Sequence, residues 1–343
     1  MAHAASDAAA DTAHLATILV RYADLRPCTT AFIDTRTPGS AEKENFTIIG
    51  PGVAESPEQH VHIRIPHGFN IGGARQPPGC LNSQHSHETA EVFVVHSGTW
   101  AFLLGPNKED GQVVLGPGDV ISIPVHVFRG FKNVGEDTGF LYAVLGGDDP
   151  GHVTWAPYVF ENARKYGLVL MEDGSLVDTT RGEPIPAGKN PMRPTTDEDV
   201  ARLRRLTAEE MGDCVVSHAD MRSAAPSGGL PDVCEIPLIG TASEGENLGA
   251  GQMTWPHGFH LRYMKIEPGV ETKSHIRREA EVVFVHGGTL TVKLPECEFN
   301  AGPGDTLTIP VGVPRRFSNT GDSAVEAYVV RGGDTPQAAE ITA

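Results

Sequence analysis

Short apolar runs separated by turn residues dominate this chain. Runs at 92–95, 113–115, 120–123 and 140–145 are rich in Val, Ile, Leu and Phe, and Gly, Asp and Pro bound them. Closely spaced strands of this kind, with no helical periodicity between them, predict an antiparallel sandwich or barrel. The 39 glycines and 26 prolines fit a turn-dense, all-β protein.

The second half of the chain repeats the pattern of the first. Pro-His-Gly-Phe at 66–69 recurs at 256–259, and Gly-Pro-Gly-Asp at 116–119 recurs at 302–305. Matches this regular indicate two copies of one structural unit. We therefore expect two tandem β-barrels, joined by a short mixed linker and preceded by an N-terminal helix.

This repeat divides the chain into four expected segments. They are an N-terminal helix or arm over 1–22, a first barrel over 23–150, a linker with helices over 151–215 and a second barrel over 216–336.

The segments outside the barrels carry helical patterns. Leu15, Ile18, Leu19 and Tyr22 follow the i, i+3, i+4, i+7 spacing of an amphipathic helix, which we expect to pack on the body of the protein or on a partner subunit. In the linker we expect a short helix over 158–166, a hairpin over 168–177 and a helix over 196–211 with Thr196 as its N-cap.

Charge and cysteine content narrow the class of protein. The formal net charge of −17 argues against binding to nucleic acid or to an anionic membrane surface. No apolar run is long enough to span a bilayer, and the N-terminus does not resemble a signal peptide. The five cysteines form no C-x-x-C pair, which is typical of a reduced, cytoplasmic protein.

Three side chains of the types that bind metals lie within seven residues. His85 and His87 are two positions apart, so on a strand both imidazoles would point to one face. Glu91 follows after a short bend and could bring its carboxylate to the same point. Two imidazoles and one carboxylate on one side of a metal form the facial arrangement of non-haem Fe(II) oxygenases. The same ligands suit Mn(II), Ni(II) or Zn(II). The alternative is that both histidines are ordinary polar residues of a strand.

The spacing G-x5-H-x-H-x3-E-x6-G, from Gly79 to Gly98, resembles the first signature of the cupin superfamily. The run from Gly118 to Asn133 resembles the second signature, G-x5-P-x-G-x2-H-x3-N, in part, with Pro124 also matching. This resemblance covers both copies and implies a bicupin with two barrels of the jelly-roll kind. It also implies that His85, His87 and Glu91 hold one metal inside the first barrel.

Two positions depart from the second signature. Arg129 stands where the family supplies its third histidine, and His126 stands where the family has glycine. Arg129 cannot ligate a metal, but its guanidinium could hold an anionic substrate in a bidentate manner. Alternatively, Arg129 pairs with Glu91 and the barrel holds no metal. His126 could act as a substitute ligand or move protons.

The second copy of the site is altered. It has His275 and Glu281, but Arg277 stands in place of the second histidine, and Arg315 is at the position that matches Arg129. Two cations beside the position of a divalent ion would repel it. We expect the second barrel to be metal-free and structural, or to be a pocket for an anion.

His67 is a further candidate for the first site, as a proton donor or as a partner of a metal ligand. Its counterpart His257 persists in the copy that has lost its ligands. A structural role in both barrels is therefore the alternative.

These features indicate a function for the first barrel. Bicupins with such sites resemble dioxygenases that cleave aromatic rings or diketones. The resemblance implies one Fe(II), O2 as co-substrate and a small anionic, aromatic or enolisable substrate. In this interpretation Arg129 binds the substrate and His67 or His126 moves protons. The alternatives are a metal-dependent isomerase, decarboxylase or lyase, or a bicupin that binds a small molecule without catalysis. A homo-oligomer is expected in each case.

Overall fold

The computed structural model describes residue 15, residues 17–225 and residues 228–342. These residues form two compact units. The first unit contains residues 26–61 and 70–218. The second unit contains residues 62–69 and 219–342, together with the described N-terminal residues up to Leu25. Residues 151–215, expected as a separate linker, thus belong to the first unit.

Strands make up most of the regular structure, as the turn-dense pattern predicts. The strands up to residue 216 are β1 (Leu19–Val20), β2 (Glu44–Ile49), β3 (Val61–Ile63), β4 (Phe69–Gln76), β5 (Leu81–Ser86), β6 (Glu91–Ser97), β7 (Trp100–Leu104), β8 (Gly111–Leu115), β9 (Val120–Ile123), β10 (Arg129–Asn133), β11 (Gly139–Gly146), β12 (Thr154–Trp155), β13 (Leu168–Leu170), β14 (Leu176–Asp178) and β15 (Val215–Val216). The later strands are β16 (Cys234–Ile239), β17 (Phe259–Ile266), β18 (His275–Ile276), β19 (Glu281–Gly287), β20 (Leu290–Lys293), β21 (Glu298–Ala301), β22 (Thr306–Ile309), β23 (Arg316–Ser318), β24 (Val325–Gly332) and β25 (Glu340–Ile341).

Helices are short and few. The α-helices with defined bounds are α1 (Pro157–Lys165), α2 (Asp197–Ala201), α3 (Ala208–Gly212) and α4 (His218–Ser223), and the 3₁₀ helices cover Tyr22–Asp24, Thr179–Arg181 and Glu244–Glu246. Within the described ranges, no helix has both the length and the apolar composition needed to cross a membrane.

Two antiparallel sheets enclose the interior of the first unit. One has the strand order β12-β5-β10-β7-β8, and the other contains β15-β9-β6-β11-β4-β2 in that order. Aromatic side chains from both sheets meet between them. The Phe93 ring of β6 lies 5.3 Å from Phe102 of β7 and 5.2 Å from Phe131 of β10, measured between centroids. This arrangement confirms the prediction of an all-β barrel of the jelly-roll kind.

The second unit repeats this architecture. Its larger sheet has the order β1-β22-β19-β24-β17-β16, and its smaller sheet has the order β21-β20-β23. Val283 of β19 and Phe317 of β23 belong to one buried apolar cluster, which also includes Ile18 and Leu19. The sheets therefore close on one core, as in the first unit.

A two-residue strand lies at the start of each sequence copy. In both cases it pairs with a strand of the unit that is built mainly from the other copy. β1 pairs with β22, with Leu19 opposite Leu307, and β15 pairs with β9, with Val215 opposite Ile121. This pairing corrects the expected N-terminal helix. Residues 15, 17 and 18 are helical, but Leu19 begins a strand, because strand pairing satisfies its backbone while its side chain is buried. Residues 1–14 and 16 lie outside the described residues.

The linker predictions are confirmed in part. The helix expected over 158–166 is α1, and the hairpin expected over 168–177 is the antiparallel pair β13 and β14. The helix expected over 196–211 is instead two short helices, α2 and α3. Thr196 is the N-cap of α2 and Thr207 is the N-cap of α3, each with a reciprocal capping box. The second N-cap therefore starts a new helix inside the segment that was expected to be one helix.

We expect Gly118→Ala to destabilise the protein more than Gly79→Ala. Both glycines have positive φ, near 87° and 78°. A Cβ at Gly118 would lie 2.3 Å from the His218 ring, whereas nothing lies within 4 Å of a Cβ at Gly79. Urea unfolding should show a loss of about 1 kcal/mol for Gly79→Ala, from backbone strain alone, and of about 2–4 kcal/mol for Gly118→Ala. Equal losses in the two variants would show that the His218 contact does not constrain this turn.

Candidate metal centre

The three candidate ligands lie where two strands of the first unit begin or end. His85 is in β5, His87 directly follows β5, and Glu91 is the first residue of β6. Arg129 is the first residue of β10, and its Cα is paired with that of His85 across the sheet. The alternation of side chains along β5 therefore directs both imidazoles to the side where Arg129 also lies.

The side chains of these ligands converge. The nearest ligand atoms of His85, His87 and Glu91 all lie within 4.8 Å of one another, and all three residues are buried. The His87 Nε2 atom lies 3.7 Å from Glu91 Oε2. Among the described residues, this is the one group of three or more His, Cys, Asp or Glu that meets such a criterion. Small side-chain rotations would place these atoms around one divalent ion.

Hydrogen bonding prepares His85 to ligate through Nε2. Its Nδ1 donates to the Ser83 carbonyl oxygen at 2.7 Å, so the proton is on Nδ1 and the Nε2 lone pair remains available. The Trp155 ring lies 5.2 Å from the His85 ring and fixes its other side. Trp155 is in turn held by its Nε1, which donates to Glu55 Oε1 at 2.6 Å.

Both imidazoles are held in the neutral state that a metal ligand requires. Burial, together with the nearby Arg129 charge, holds the pKa of His85 well below its usual value of 6.5. Burial and the same guanidinium act in the same direction on the pKa of His87. His87 Nδ1 is buried and makes no hydrogen bond in the described structure. The donor set therefore fits a divalent transition metal.

Arg129 pairs with Glu91. Its Nη2 donates to Glu91 Oε2, and its Nη1 donates to the His85 carbonyl oxygen at 3.1 Å. Burial raises the pKa of Glu91 and the Arg129 charge opposes that rise. This is the ion pair that the sequence left open as an alternative to a metal. The imidazoles nevertheless remain directed towards the same carboxylate, so pairing and metal binding compete for Glu91.

A cavity of about 70 Å³ opens beside the three ligands. Its volume holds several waters or a molecule of a few heavy atoms. Its wall combines aromatic rings with glycines and amides; in addition to the three ligands it includes Phe46, Asn70, Gly72, Gly73, Asn82, Phe93, Phe131 and Trp155. Arg129 is not among the described residues of this wall, and its guanidinium is bonded to Glu91 and to the His85 carbonyl oxygen.

The two other candidate histidines lie elsewhere. His126 is exposed at the turn before β10 and has a φ of 60°, in the region that favours glycine. Its backbone N–H donates to the His87 carbonyl oxygen at 3.0 Å, so the backbone rather than the ring supports the site. His67 belongs to the second unit, where its ring nitrogens bond to the Ile65 carbonyl oxygen and to Thr308 Oγ1, each at 2.6 Å.

The altered second copy has the expected composition. His275, Arg277, Glu281 and Arg315 are all buried in the interior of the second unit. Burial lowers the pKa of His275, and the Arg331 charge is the largest influence that offsets burial at Glu281 and lowers the pKa of that carboxyl. Only His275 and Glu281 of this set could ligate a metal.

We expect the metal-free protein to lose stability as the pH falls below 6.5, the usual histidine value. In that range His85 and His87 bind protons in the unfolded chain but remain neutral when they are buried in the folded protein. The free energy of unfolding therefore rises with pH. Each imidazole contributes up to about 1.4 kcal/mol per pH unit. Urea unfolding with a chelator at pH 7, 6 and 5 should show a shallower dependence in His85→Gln/His87→Gln. Identical slopes would mean that these rings take up protons in the folded protein as readily as in the unfolded chain.

Comparisons with known proteins give a consistent result. Residues 74–145 and 262–331 each match the model of the Cupin domain. Germin-like protein subfamily 1 member 7 of Arabidopsis thaliana is 37% identical over 90 residues, which are 24% of this chain and 38% of that protein. The chain therefore spans well under half the length of this curated relative.

Solved structures resemble almost the whole chain. A variant of the oxalate decarboxylase of Bacillus subtilis matches with a TM-score of 0.55 over 94% of this chain and 79% of that one, at 12% identity. The oxalate decarboxylase of Lactobacillus farciminis, in its formate complex, matches with a TM-score of 0.56 over 94% and 88%, also at 12% identity. At this identity the likeness concerns the fold.

Proposed function

Because this chain belongs to the cupin superfamily and carries two cupin domains, we propose that its first unit is a metal-dependent enzyme acting on a small anionic molecule. The observation that carries this proposal is the convergence of His85, His87 and Glu91 beside a cavity. A bound divalent ion would supply Lewis-acid activation and, if it is Fe(II), electron transfer to O2. Fe(II) is our first choice, with Mn(II), Ni(II) and Zn(II) as alternatives.

The charge of the site favours an anionic substrate. A divalent ion would add two positive charges beside Arg129, and Glu91 is the one carboxylate in its ligand set. Both imidazoles are neutral, so the loaded site would carry an excess of two positive charges in a buried position. Buried charge without compensation is costly, and an anion bound beside the metal would reduce this cost.

Arg129 is the residue that we assign to the substrate anion. Its present partner, Glu91, is also a candidate ligand, so a metal that takes this carboxylate frees guanidinium donors. Arg129 Nε already lacks a hydrogen-bond partner in the described structure. The planar guanidinium would then bind a carboxylate or enolate in a bidentate manner. His67 belongs to the second unit and His126 is exposed at a turn, so we leave both out of the proposed machinery.

We propose oxidative cleavage as the first reaction to test. Two imidazoles and a carboxylate on one side of Fe(II) leave positions for a substrate and for O2. A substrate that is enolisable or a small phenol could supply electrons to O2. In this scheme the aromatic wall of Phe93, Phe131 and Trp155 would exclude bulk water and orient the substrate.

Decarboxylation without net oxidation is the second candidate, and two observations favour it. Two solved structures with a similar fold are oxalate decarboxylases, and the cavity of about 70 Å³ suits a substrate of few heavy atoms. In this scheme Arg129 would bind one carboxylate while the metal activates the other end of the molecule.

Turnover assays with and without O2 separate these proposals. Protein reconstituted with Fe(II) or Mn(II) is given catechols, hydroxybenzoates, 1,3-diketones and short dicarboxylates, and O2 uptake and CO2 release are measured. Substrate-dependent O2 uptake that stops anaerobically supports oxidative cleavage. CO2 release without net O2 consumption supports decarboxylation. Protein that binds metal but turns over none of these compounds, and is indistinguishable from His85→Ala, would contradict the enzymatic proposal for these substrate classes.

We also propose that the protein is a homo-oligomer, since barrels of this kind can share edge strands, and that it is cytoplasmic, since its five cysteines form no C-x-x-C pair. Light scattering on purified protein tests the assembly. A mass equal to that of one 36.6 kDa chain at micromolar concentration would contradict it.

A further inference from the structure

The cavity beside the metal ligands has five further polar side chains in its wall. They belong to Asn45, Thr47, Asn70, Asn82 and Trp155, and all five lie in the first unit. Pockets for small molecules orient their ligands with a few polar groups of this kind, placed among apolar ones. The hydrogen bonds that each group already makes therefore show which of them is available to a ligand.

Two of the three asparagines are held by the protein. Asn70 uses both ends of its amide, because Oδ1 accepts from the Gly52 N–H at 2.9 Å and Nδ2 donates to the Gly147 carbonyl oxygen at 2.6 Å. Asn82 Oδ1 accepts from Lys43 Nζ at 2.8 Å, and its Nδ2 lies 3.5 Å from a ring nitrogen of one ligand imidazole. The orientation of both amides is thus fixed without a ligand.

The two other polar groups of the wall are engaged as well. Thr47 Oγ1 donates to Gln59 Oε1 at 2.8 Å. The Trp155 indole donates to the Glu55 carboxyl at 2.6 Å. Both groups serve contacts within the protein.

Asn45 is the exception. The residue is 9% exposed, and its Nδ2 is buried and makes no hydrogen bond in the described structure. Its backbone is fixed, since its N–H donates to the Cys28 carbonyl oxygen at 3.2 Å and its carbonyl accepts from the Cys28 N–H at 2.8 Å. No hydrogen bond to Nδ2 opposes rotation of the amide towards the cavity. A buried donor without an acceptor is costly, and a ligand oxygen would remove this cost.

Asn45 lies on a different part of the wall from the metal ligands. It is in β2, whereas Glu91 is in β6, and β4 and β11 separate these two strands in the sheet. A molecule with one end at the metal would therefore meet Asn45 with its other end.

The wall around Asn45 carries no charge. Apart from the three metal ligands, the described residues of the wall include no Asp, Glu, Lys, Arg or His. Lys43, which bonds to Asn82, is itself paired with Asp34. A second carboxylate at Asn45 would thus be buried without a free cation, whereas a neutral oxygen needs only the hydrogen bond. The wall favours a ligand with a single charged end.

We infer that Asn45 is a specificity residue of the first unit and that it selects substrates with one anionic end and one neutral hydroxyl or carbonyl oxygen. This inference rests on the proposed function, in which the metal and Arg129 bind the anionic end. Asn45 Nδ2 donates to the neutral oxygen at the other end. The substrate class is a short hydroxy or oxo monocarboxylate, in preference to a dicarboxylate or an acid with an apolar tail.

Calorimetric titration of the Mn(II)-loaded protein tests this inference. The probes are two pairs of acids of matched size, 3-hydroxypropanoate with butanoate and 4-hydroxybutanoate with pentanoate. A site that hydrogen-bonds a hydroxyl rejects the analogue that lacks it. We expect the hydroxy acid of at least one pair to bind about tenfold more tightly than its partner. In Asn45→Leu this ratio of Kd values should fall to about one, because leucine has no donor.

Two further variants serve as controls. Thr47→Val changes a residue on the same face of β2, and its hydroxyl is already bonded within the protein, so the ratio of Kd values should remain that of the parent. Asn45→Ala removes the donor without adding bulk. It should abolish the ratio like Asn45→Leu, and it covers the case in which the leucine variant does not fold.

The Mn(II) content of each sample, measured by elemental analysis, separates two kinds of failure. Equal Kd values within both pairs, no binding of any of the four acids, or an unchanged ratio in the folded Asn45 variants would overturn the assignment of Asn45. If the parent protein is fully loaded in that experiment, metal binding by the first unit stands. A parent protein that takes up less than about a tenth of an equivalent of Mn(II) would overturn the proposed function, and this inference with it.

Discussion

Replacing His85 by alanine is expected to lower the transition metal that purifies with the protein from about one equivalent per chain to less than about a tenth. The change leaves His87 and Glu91 as ligands, and Arg129 then competes for the carboxylate without opposition from a complete ligand set. Elemental analysis of protein purified without chelator, and again after incubation with Fe(II) or Mn(II), measures the effect. Turnover of any substrate found for the parent protein should fall at least as steeply.

The repeat provides a matched control for this variant. His275→Ala removes the equivalent imidazole from the second unit, where Arg277 stands in place of the second histidine. This variant should keep its full metal content. Equal loss of metal from both variants would mean either that the ion is in the second unit or that the loss reflects a general fault in folding. Full retention in both variants would remove His85 from the site.

Replacing Arg129 by glutamine is expected to destabilise the metal-free protein by about 3–5 kcal/mol, because it leaves a buried carboxylate without its cation. Glu91 is 6% exposed, and Arg129 is its ion-pair partner within hydrogen-bonding distance. A divalent metal should restore most of this loss, since it supplies the missing positive charge. Urea unfolding with chelator and with saturating Mn(II) measures both effects.

A second substitution controls for the loss of Arg129 itself. Arg129→Gln/Glu91→Gln removes both charges, so its metal-free stability should recover towards that of the parent protein, while Mn(II) should no longer stabilise it. Failure of Mn(II) to stabilise the single variant would show that Glu91 is not available to a metal. A double variant as unstable as the single one would show that packing of Arg129, and not its charge, is what matters.

The local geometry of the first site could be predicted from the sequence because it follows from strand alternation. The H-x-H spacing placed His85 and His87 on one face, and the short bend to β6 brought Glu91 to the same point. What the sequence left undecided was whether Arg129 binds a substrate anion or pairs with Glu91. Register between β5 and β10 places Arg129 opposite His85, and two strands separated by more than forty residues carry no local signal of their register.

The residues that support the site lie far from it in the sequence, and the sequence did not predict them. Trp155 packs against His85 from β12 and is held by Glu55, which burial gives a pKa of about 8. The only sequence signal was a tryptophan in a segment otherwise assigned to the linker. The pairing of β1 with β22 and of β15 with β9 was also not predicted, because two-residue strands have too few positions to show alternation.

The second unit shows where periodicity misleads. Arg262 and Arg331 lie in β17 and β24 among apolar residues, in positions that alternation assigns to the interior. A charged residue at such a position is ordinarily expected to reach solvent. Here the arginines remain buried because Glu235 and Glu246, from β16 and a 3₁₀ helix, reach the same interior. Only the folded chain brings these four residues together.

An anomalous-difference map from crystals grown with saturating Mn(II) tests the metal centre most directly. We predict one strong peak per chain, about 2.0–2.3 Å from a ring nitrogen of His85, a ring nitrogen of His87 and a carboxylate oxygen of Glu91. No peak is predicted beside His275 and Glu281. Crystals in which Arg129 still engages Glu91, with no ion between the two imidazoles, would contradict the proposed metal site and leave a protein with two barrels and no metal chemistry.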